Sequence, residues 1–319
     1  MAEFAAPTLR DIHTASARIA AHARVTPVLR SAELDALAGA TLLFKCEHLQ
    51  VGGAFKFRGA CNAVWSLDDD EAGRGVVTHS SGNHGAALAL AARTRKIPAH
   101  IVVPEGAVAA KLANIERAGG ILHRCAPTQA AREEACEKVQ RETGATLVHP
   151  YADARVMAGQ GTIVLELLQQ IPHLDTVIVP IGGGGLASGC AIALAALSPQ
   201  ARLVGAEPAG ANDAFRSLQR GQRVTDIVPH TICDGLRATI GEPNFALLGA
   251  HRVEVITVDD AATLAAMRLV WAELKQTIEP SSAVVLAALF AQRERFAGQR
   301  VGLVLSGGNV DLDALPFAA

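Results

Sequence analysis

Gly52-Gly53-Ala54-Phe55-Lys56-Phe57-Arg58-Gly59-Ala60 sets one lysine between two phenylalanines, with small residues before it and Arg58-Gly59 after it. The run follows a strand-like segment, residues 41–47, and leads into a helical pattern, residues 59–67. A lysine at such a junction can sit in apolar surroundings. Desolvation lowers an amine's pKa, so more of it is the neutral, nucleophilic form. That chemistry suits an aldehyde cofactor held as a Schiff base. Taken alone, the stretch is more simply read as a surface lysine at a helix start, and the rest of the chain decides.

Outward from it the pattern becomes regular. Strand-like runs at 75–78, 99–103, 121–125, 146–148, 176–179, 202–206, 253–258 and 300–305 alternate with helical runs at 83–96, 108–118, 129–142, 155–170, 185–197, 261–275 and 281–292. Continuous apolar strands alternating with helices predict an α/β fold with parallel sheets covered on both faces. Before the lysine, residues 9–22 read as an amphipathic helix and 31–37 as a short helix opened by a serine. Residues 209–244 are less regular and hold a short helix near 213–220. No repeat or linker divides the chain, so two interwoven open parallel-sheet domains are expected. Residues 1–72 and 150–319 form the large, cofactor-binding one; residues 73–149 form a small, mobile one.

The chain has 319 residues, of which half are hydrophobic and 4% aromatic. Its 29 basic and 31 acidic side chains nearly balance. No basic stripe marks a nucleic-acid surface, so the expected partner is a small molecule. The six cysteines form no C-x-x-C pair, which predicts free thiols in a reducing cytoplasm and no structural zinc. No signal pattern or membrane-length apolar run is present.

Four motifs follow strand-like segments. Gly182-Gly183-Gly184-Gly185 opens a helical run, where backbone N–H groups and the helix N-terminus can hold a phosphate. A Walker lysine-serine pair and G-x-G-x-x-G spacing are both missing, so a nucleotide-binding module is the weaker reading and a cofactor phosphate the better one. Thr78-His79-Ser80-Ser81-Gly82-Asn83-His84-Gly85 adds hydroxyls and an amide to free N–H groups, a site for a carboxylate with Ser81 placed to move a proton. Ser306-Gly307-Gly308-Asn309 puts a hydroxyl where ligands sit in open α/β folds. Glu207 and Asp213 flank Gly210. They could bind a hard cation through oxygens, although spacing alone prefers a solvated acidic turn.

Together these motifs resemble the fold-type II pyridoxal-phosphate enzymes (tryptophan synthase β-like), specifically the serine/threonine dehydratase and serine racemase family, 3-hydroxyaspartate dehydratases included. Residues 53–60, 78–85, 159–166 (Gly-Gln-Gly-Thr-Ile-Val-Leu-Glu), the glycine loop, residues 207–213, Asp234-Gly235, Glu279-Pro280 and residues 306–309 occur in family order. The resemblance implies that Lys56 carries the cofactor and is the base at Cα. It implies that Phe55 packs on the pyridine ring, Asn83 bonds the ring oxygen and Ser306 meets the ring nitrogen. Gly182, Gly183, Gly184, Gly185 and Leu186 would hold the phosphate, and Glu279 belongs to the same cofactor site. Ser80, Ser81, Asn83 and His84 would hold the substrate carboxylate, with Ser81 as a second proton carrier. Glu207, Asp213 and the Ala211 carbonyl would bind Mg²⁺, or Ca²⁺ or Mn²⁺ in its place. Arg132 and Arg237 are candidates for a second carboxylate.

The implied activity is an ammonia-lyase (dehydratase) turning L-serine, L-threonine or 3-hydroxyaspartate into a 2-oxo acid and ammonia, in a cytoplasmic homodimer. Serine racemase is the alternative, and a β-replacement enzyme of cysteine synthase type a remoter one. The chain's end soon after Asn309 is similar to catabolic members rather than allosteric ones. Ala54, Tyr151 and Ala238 depart from the family pattern and leave the substrate open.

Overall fold

The computed structural model describes residues 4–312, 315 and 317; the ends of the expected large domain beyond these lie outside the described residues. The apolar runs become ten strands: β1 (Val28–Leu29), β2 (Thr41–Lys45), β3 (Val76–His79), β4 (Ala99–Pro104), β5 (Ile121–Cys125), β6 (Thr146–Leu147), β7 (Thr176–Pro180), β8 (Arg202–Pro208), β9 (Glu254–Val258) and β10 (Arg300–Val304). They form two sheets, ordered β1-β2-β10-β7-β8-β9 and β5-β4-β3-β6. Every pairing is parallel except the short β1 on β2.

The large sheet shows why its strands lack a polar face. Along β2 and β10, Leu42, Phe44, Val301 and Leu303 point into one core with the helix Pro280–Ala291. Their neighbours Leu43 and Val304 point into a second core with the helices Ala154–Gln170 and Gly185–Leu197. Successive side chains alternate faces, and here both faces are dry. The small sheet carries the helix Asn83–Arg95 in one apolar cluster, which Phe57, Ala60 and Val64 of the lysine helix join. Its other face meets Cys136 and Val139 of the helix Gln129–Thr143. All six cysteines are free thiols. Among the described residues no helix is long and apolar enough to cross a membrane.

The lysine helix differs from expectation. It spans Lys56–Trp65 and so begins at the lysine rather than at Gly59. Gly59 lies inside it because another helix crosses there. A Cβ on Gly59 would stand 2.7 Å from the Val156 carbonyl oxygen, and one on Gly159 would stand 2.6 Å from the Gly59 Cα. The glycine read as a boundary is a crossing point. The helices Asp69–Arg74 and Glu242–Ala250, and strand β1, were not legible. The first rests on a capping box between Asp68 and Glu71 in an acidic run that has no apolar period.

Candidate active site

The lysine turn is stitched to the turn after β10. Phe55 N–H donates to the Ser306 carbonyl at 2.9 Å, and Gly308 N–H to the Gly53 carbonyl at 2.9 Å. The Asn309 amide donates to the Gly52 carbonyl at 2.9 Å. Two motifs 250 residues apart in sequence thus form one edge of a cleft of about 1450 Å³, which the glycine loop, Ser80, Ser81 and Asn83 also line. The cleft lies beyond the carboxyl ends of the strands, as the open-sheet rule requires.

Lys56 Nζ donates to the Pro150 carbonyl at 3.1 Å. Burial pushes its amine down to about 8, against the opposing charge of Glu279. A useful share of it is therefore neutral near neutral pH. The Phe55 ring lies beside the amine, its centroid 5.1 Å from Nζ.

The glycine loop turns β7 into the helix Gly185–Leu197. Gly184 has φ +91°, in the left-handed region. A Cβ on Gly183 would stand 2.4 Å from the Tyr151 ring. Among the described residues, the N–H groups of Gly183, Gly184, Gly185 and Leu186 find no protein acceptor. Converging unpaired N–H groups at a helix N-terminus fit a phosphate.

Asn83 Nδ2 lies 3.1 Å from each carboxylate oxygen of Glu279, and its Oδ1 accepts from Asn309 at 2.9 Å. Glu279 is only 5% exposed, and burial raises its pKa, against the bond from Asn83. The Ser306 hydroxyl is buried 3.1 Å from that of Ser282, whose own proton goes to the Gly307 carbonyl at 2.6 Å. Ser306 is therefore the donor between the two hydroxyls, and it is a neutral group lining the cleft.

Ser80 and Ser81 bridge β3 and the helix Asn83–Arg95. The Ser81 hydroxyl has no protein partner among the described residues and lines the cleft. His84, expected from the family resemblance to help hold the substrate carboxylate, is 2% exposed. Its Nε2 lies 3.3 Å from the Val148 carbonyl, which can only accept, so Nε2 carries the proton and the buried Nδ1 is a bare lone pair. That ring cannot hold a carboxylate. Anion binding here falls to backbone N–H groups at the helix start.

Arg132 and Arg237 both line the cleft but differ. The buried Nε of Arg132 has no partner. Arg237 places Nε and Nη2 on the Thr231 carbonyl, at 3.1 and 2.6 Å. Lys111, from the helix Ala109–Arg117, crosses the mouth to pair with Asp234.

Glu207 lies in β8, and Asp213 opens the helix Asp213–Arg220. Glu207 accepts the N–H groups of Ala214 and Phe215, each at 2.9 Å. A helix would send the Phe215 N–H to the Ala211 carbonyl, so that carbonyl has no donor among the described residues. Asp213 accepts Ile240 N–H at 2.6 Å. Burial pushes Glu207 up to about 8 and Asp213 up to about 6, and the charge of Asp213 adds to the shift on Glu207. Two buried carboxylates beside the Ala211 carbonyl fit a hard cation, although no cluster of three or more His, Cys, Asp or Glu occurs among the described residues.

Comparison with known proteins identifies the whole. The family model described as pyridoxal-phosphate dependent enzyme matches residues 19–307. The chain belongs to the pyridoxal-phosphate-dependent enzymes. It is 48% identical over 311 residues to a β-hydroxyaspartate dehydratase of Paracoccus denitrificans (strain Pd 1222), covering 98% of this chain and 99% of that protein. It is 48% identical over 315 residues to a serine racemase of Arabidopsis thaliana, covering 97% and 95%. The solved structure of maize serine racemase superposes with a TM-score of 0.95 at 45% identity, covering 97% of this chain and 95% of that one. The fold is that of fold-type II, as the motifs implied.

Sequence reasoning missed His149 and Pro150, at the carboxyl end of β6, and Ser282 behind Ser306. The first two shared the signal that exposed the other motifs, a position just past a strand.

Proposed function

We propose that this chain is an ammonia-lyase that dehydrates a β-hydroxy amino acid, with 3-hydroxyaspartate ahead of L-serine and L-threonine, to a 2-oxo acid and ammonia. The desolvated Lys56 amine, pushed down to about 8 inside the cleft, carries the reading. When bound, pyridoxal phosphate supplies the electron sink that makes an amino acid's Cα proton removable. Lys56 takes that proton as a neutral amine. The N–H groups of Gly183, Gly184, Gly185 and Leu186 hold the phosphate. The backbone N–H groups of Ser81, Asn83 and His84, which find no protein acceptor among the described residues, would hold the α-carboxylate. Phe55 would pack on the ring, and the Asn83 amide, anchored by Glu279, would hold its oxygen. Ser306, its hydroxyl turned from Ser282, would offer the ring nitrogen a neutral donor rather than a carboxylate, and so would not hold that nitrogen protonated. Glu207, Asp213 and the Ala211 carbonyl would hold Mg²⁺, which would add stability and move no proton. Residues 73–149 close over the substrate, and the Lys111–Asp234 pair spans the mouth that closes.

Racemisation is the second reading, favoured by the unpartnered Ser81 hydroxyl. A panel of L-serine, D-serine, L-threonine and 3-hydroxyaspartate isomers, scored for ammonia, 2-oxo acid and substrate chirality, separates the two. Lys56→Ala should abolish every activity and the cofactor's absorbance near the visible edge. Full activity in that variant would end the proposal.

A further inference from the structure

His149 is held more tightly than a passive wall residue requires. Its Nδ1 accepts Ala152 N–H at 2.9 Å and Tyr151 N–H at 3.4 Å. A nitrogen that accepts cannot also carry the proton, so the proton is on Nε2. The ring is clamped edge-on between His79, with centroids 5.2 Å apart at 83°, and Tyr151, 4.6 Å apart at 89°. It lines the cleft, and Nε2 has no protein acceptor among the described residues. Burial, with His79 and Lys56 adding, pushes the ring down to about 4, so the donor is neutral. Its neighbour Pro150 is the residue whose carbonyl holds the Lys56 amine.

On that reading the α-carboxylate takes the N–H groups of Ser81, Asn83 and His84. A fixed neutral donor beside Lys56 is then left for what the β-carbon carries. The charge of Arg132 acts on both rings that clamp His149, those of His79 and Tyr151. Glu133 acts on the same two rings in the opposite sense, with one of its carboxylate oxygens held by Gln129 Nε2 at 2.7 Å. We infer that His149, through its Nε2–H, is a specificity-determining donor to the distal carboxylate of a dicarboxylic β-hydroxy amino acid, an assignment that rests on the ammonia-lyase reading. The neutral imidazole orients that carboxylate, and Arg132 supplies the charge.

The two nitrogens can be separated by substitution. In His149→Asn, Oδ1 replaces the acceptor and the distal donor is lost. In His149→Gln, an amide N–H stands near the position of Nε2. Holoenzyme titrated by calorimetry with L-aspartate and with L-alanine, which lack a β-leaving group and differ in the distal carboxylate, reads the contact directly. The wild type should prefer L-aspartate. His149→Asn should lose at least tenfold of that preference and His149→Gln less than threefold, and the kcat/KM ratio of 3-hydroxyaspartate to L-serine should follow. Equal binding of the two amino acids by the wild type overturns the inference without any variant, as does equal weakening of both in His149→Asn. If the wild type releases no ammonia from any β-hydroxy amino acid, the lyase reading falls, and the aspartate preference still decides the role of His149.

Discussion

The Arg58 guanidinium and the Glu47 carboxylate form a two-pronged pair, Nε to Oε2 at 2.7 Å and Nη2 to Oε1 at 2.9 Å, with both side chains wholly buried. Arg58 also grips Glu166, at 2.7 and 2.8 Å. Glu166 in turn takes Lys45 at 2.8 Å. Two cations and two anions thus balance, with Lys45, Arg58 and Glu47 wholly buried and Glu166 half-buried at the edge, and the paired geometry compensates their desolvation. The network joins β2, the lysine helix and the helix Ala154–Gln170, two residues beyond Lys56.

Removing one partner leaves a buried charge uncompensated, a loss of about 3–5 kcal/mol. Glu47→Gln and Arg58→Met should each lower stability by that order in denaturant melts. The double variant should lose clearly less than the sum, because the two changes remove the same pair. Additive losses would show that the pair is not an energetic unit.

Ser81 separates the two activities. If its hydroxyl moves the proton on the face opposite Lys56, Ser81→Ala should lower racemisation of L-serine by roughly 100-fold, the usual worth of a positioned acid or base, and elimination from L-serine much less. Elimination from D-serine should fall with racemisation, since its proton lies on the Ser81 side. Chiral chromatography beside an ammonia assay measures all three. Equal loss everywhere would leave Ser81 with carboxylate binding alone.

The cleft was legible where chemistry leaves short local marks. Lys56, the glycine loop, residues 78–85 and residues 306–309 each stand just past a strand, and each needs glycine or a hydroxyl there. What was not legible depends on convergence. Nothing near Glu47 announces that Arg58 and Thr26 will reach it. The amide of Asn83 reads as a ligand group, and only the fold brings Glu279 to its Nδ2. His84 reads as a carboxylate ligand beside Ser80, Ser81 and Asn83, and only the fold turns its ring to the Val148 carbonyl. The fold class survives such errors because it rests on eight apolar runs rather than on any one contact.

The cation pair gives a signed pH dependence. Glu207 and Asp213 have folded-state pKa values raised from 4.5 and 3.8 to about 8 and about 6. The folded state therefore holds protons that the unfolded state has lost, and stability falls as pH rises from about 4 to about 8 in metal-free protein. A divalent cation that binds only the folded carboxylates reverses this. EDTA should lower Tm more at pH 8 than at pH 5, and Mg²⁺ should restore the wild type but not Asp213→Ala. A chelator effect that is absent, or equal at both pH values, would favour a simple acidic turn.

Substrate choice turns on which arginine is free to bind. Arg237 already spends two donors on the Thr231 carbonyl, whereas the buried Nε of Arg132 has no partner. A buried donor without an acceptor costs free energy that an incoming carboxylate recovers, and guanidinium can meet that carboxylate with two parallel bonds. Losing such a charged partner costs on the order of 2–4 kcal/mol. L-serine brings no second carboxylate and should not feel most of that loss. Arg132→Ala should therefore raise KM for 3-hydroxyaspartate at least tenfold more than KM for L-serine. Arg237→Ala should move the two together, because its guanidinium acts on the 231–237 turn that borders the cleft. Steady-state kinetics of both variants on both substrates decides. A tenfold split in Arg237→Ala with none in Arg132→Ala would reverse the assignment, and a split in neither would leave a plain serine/threonine dehydratase.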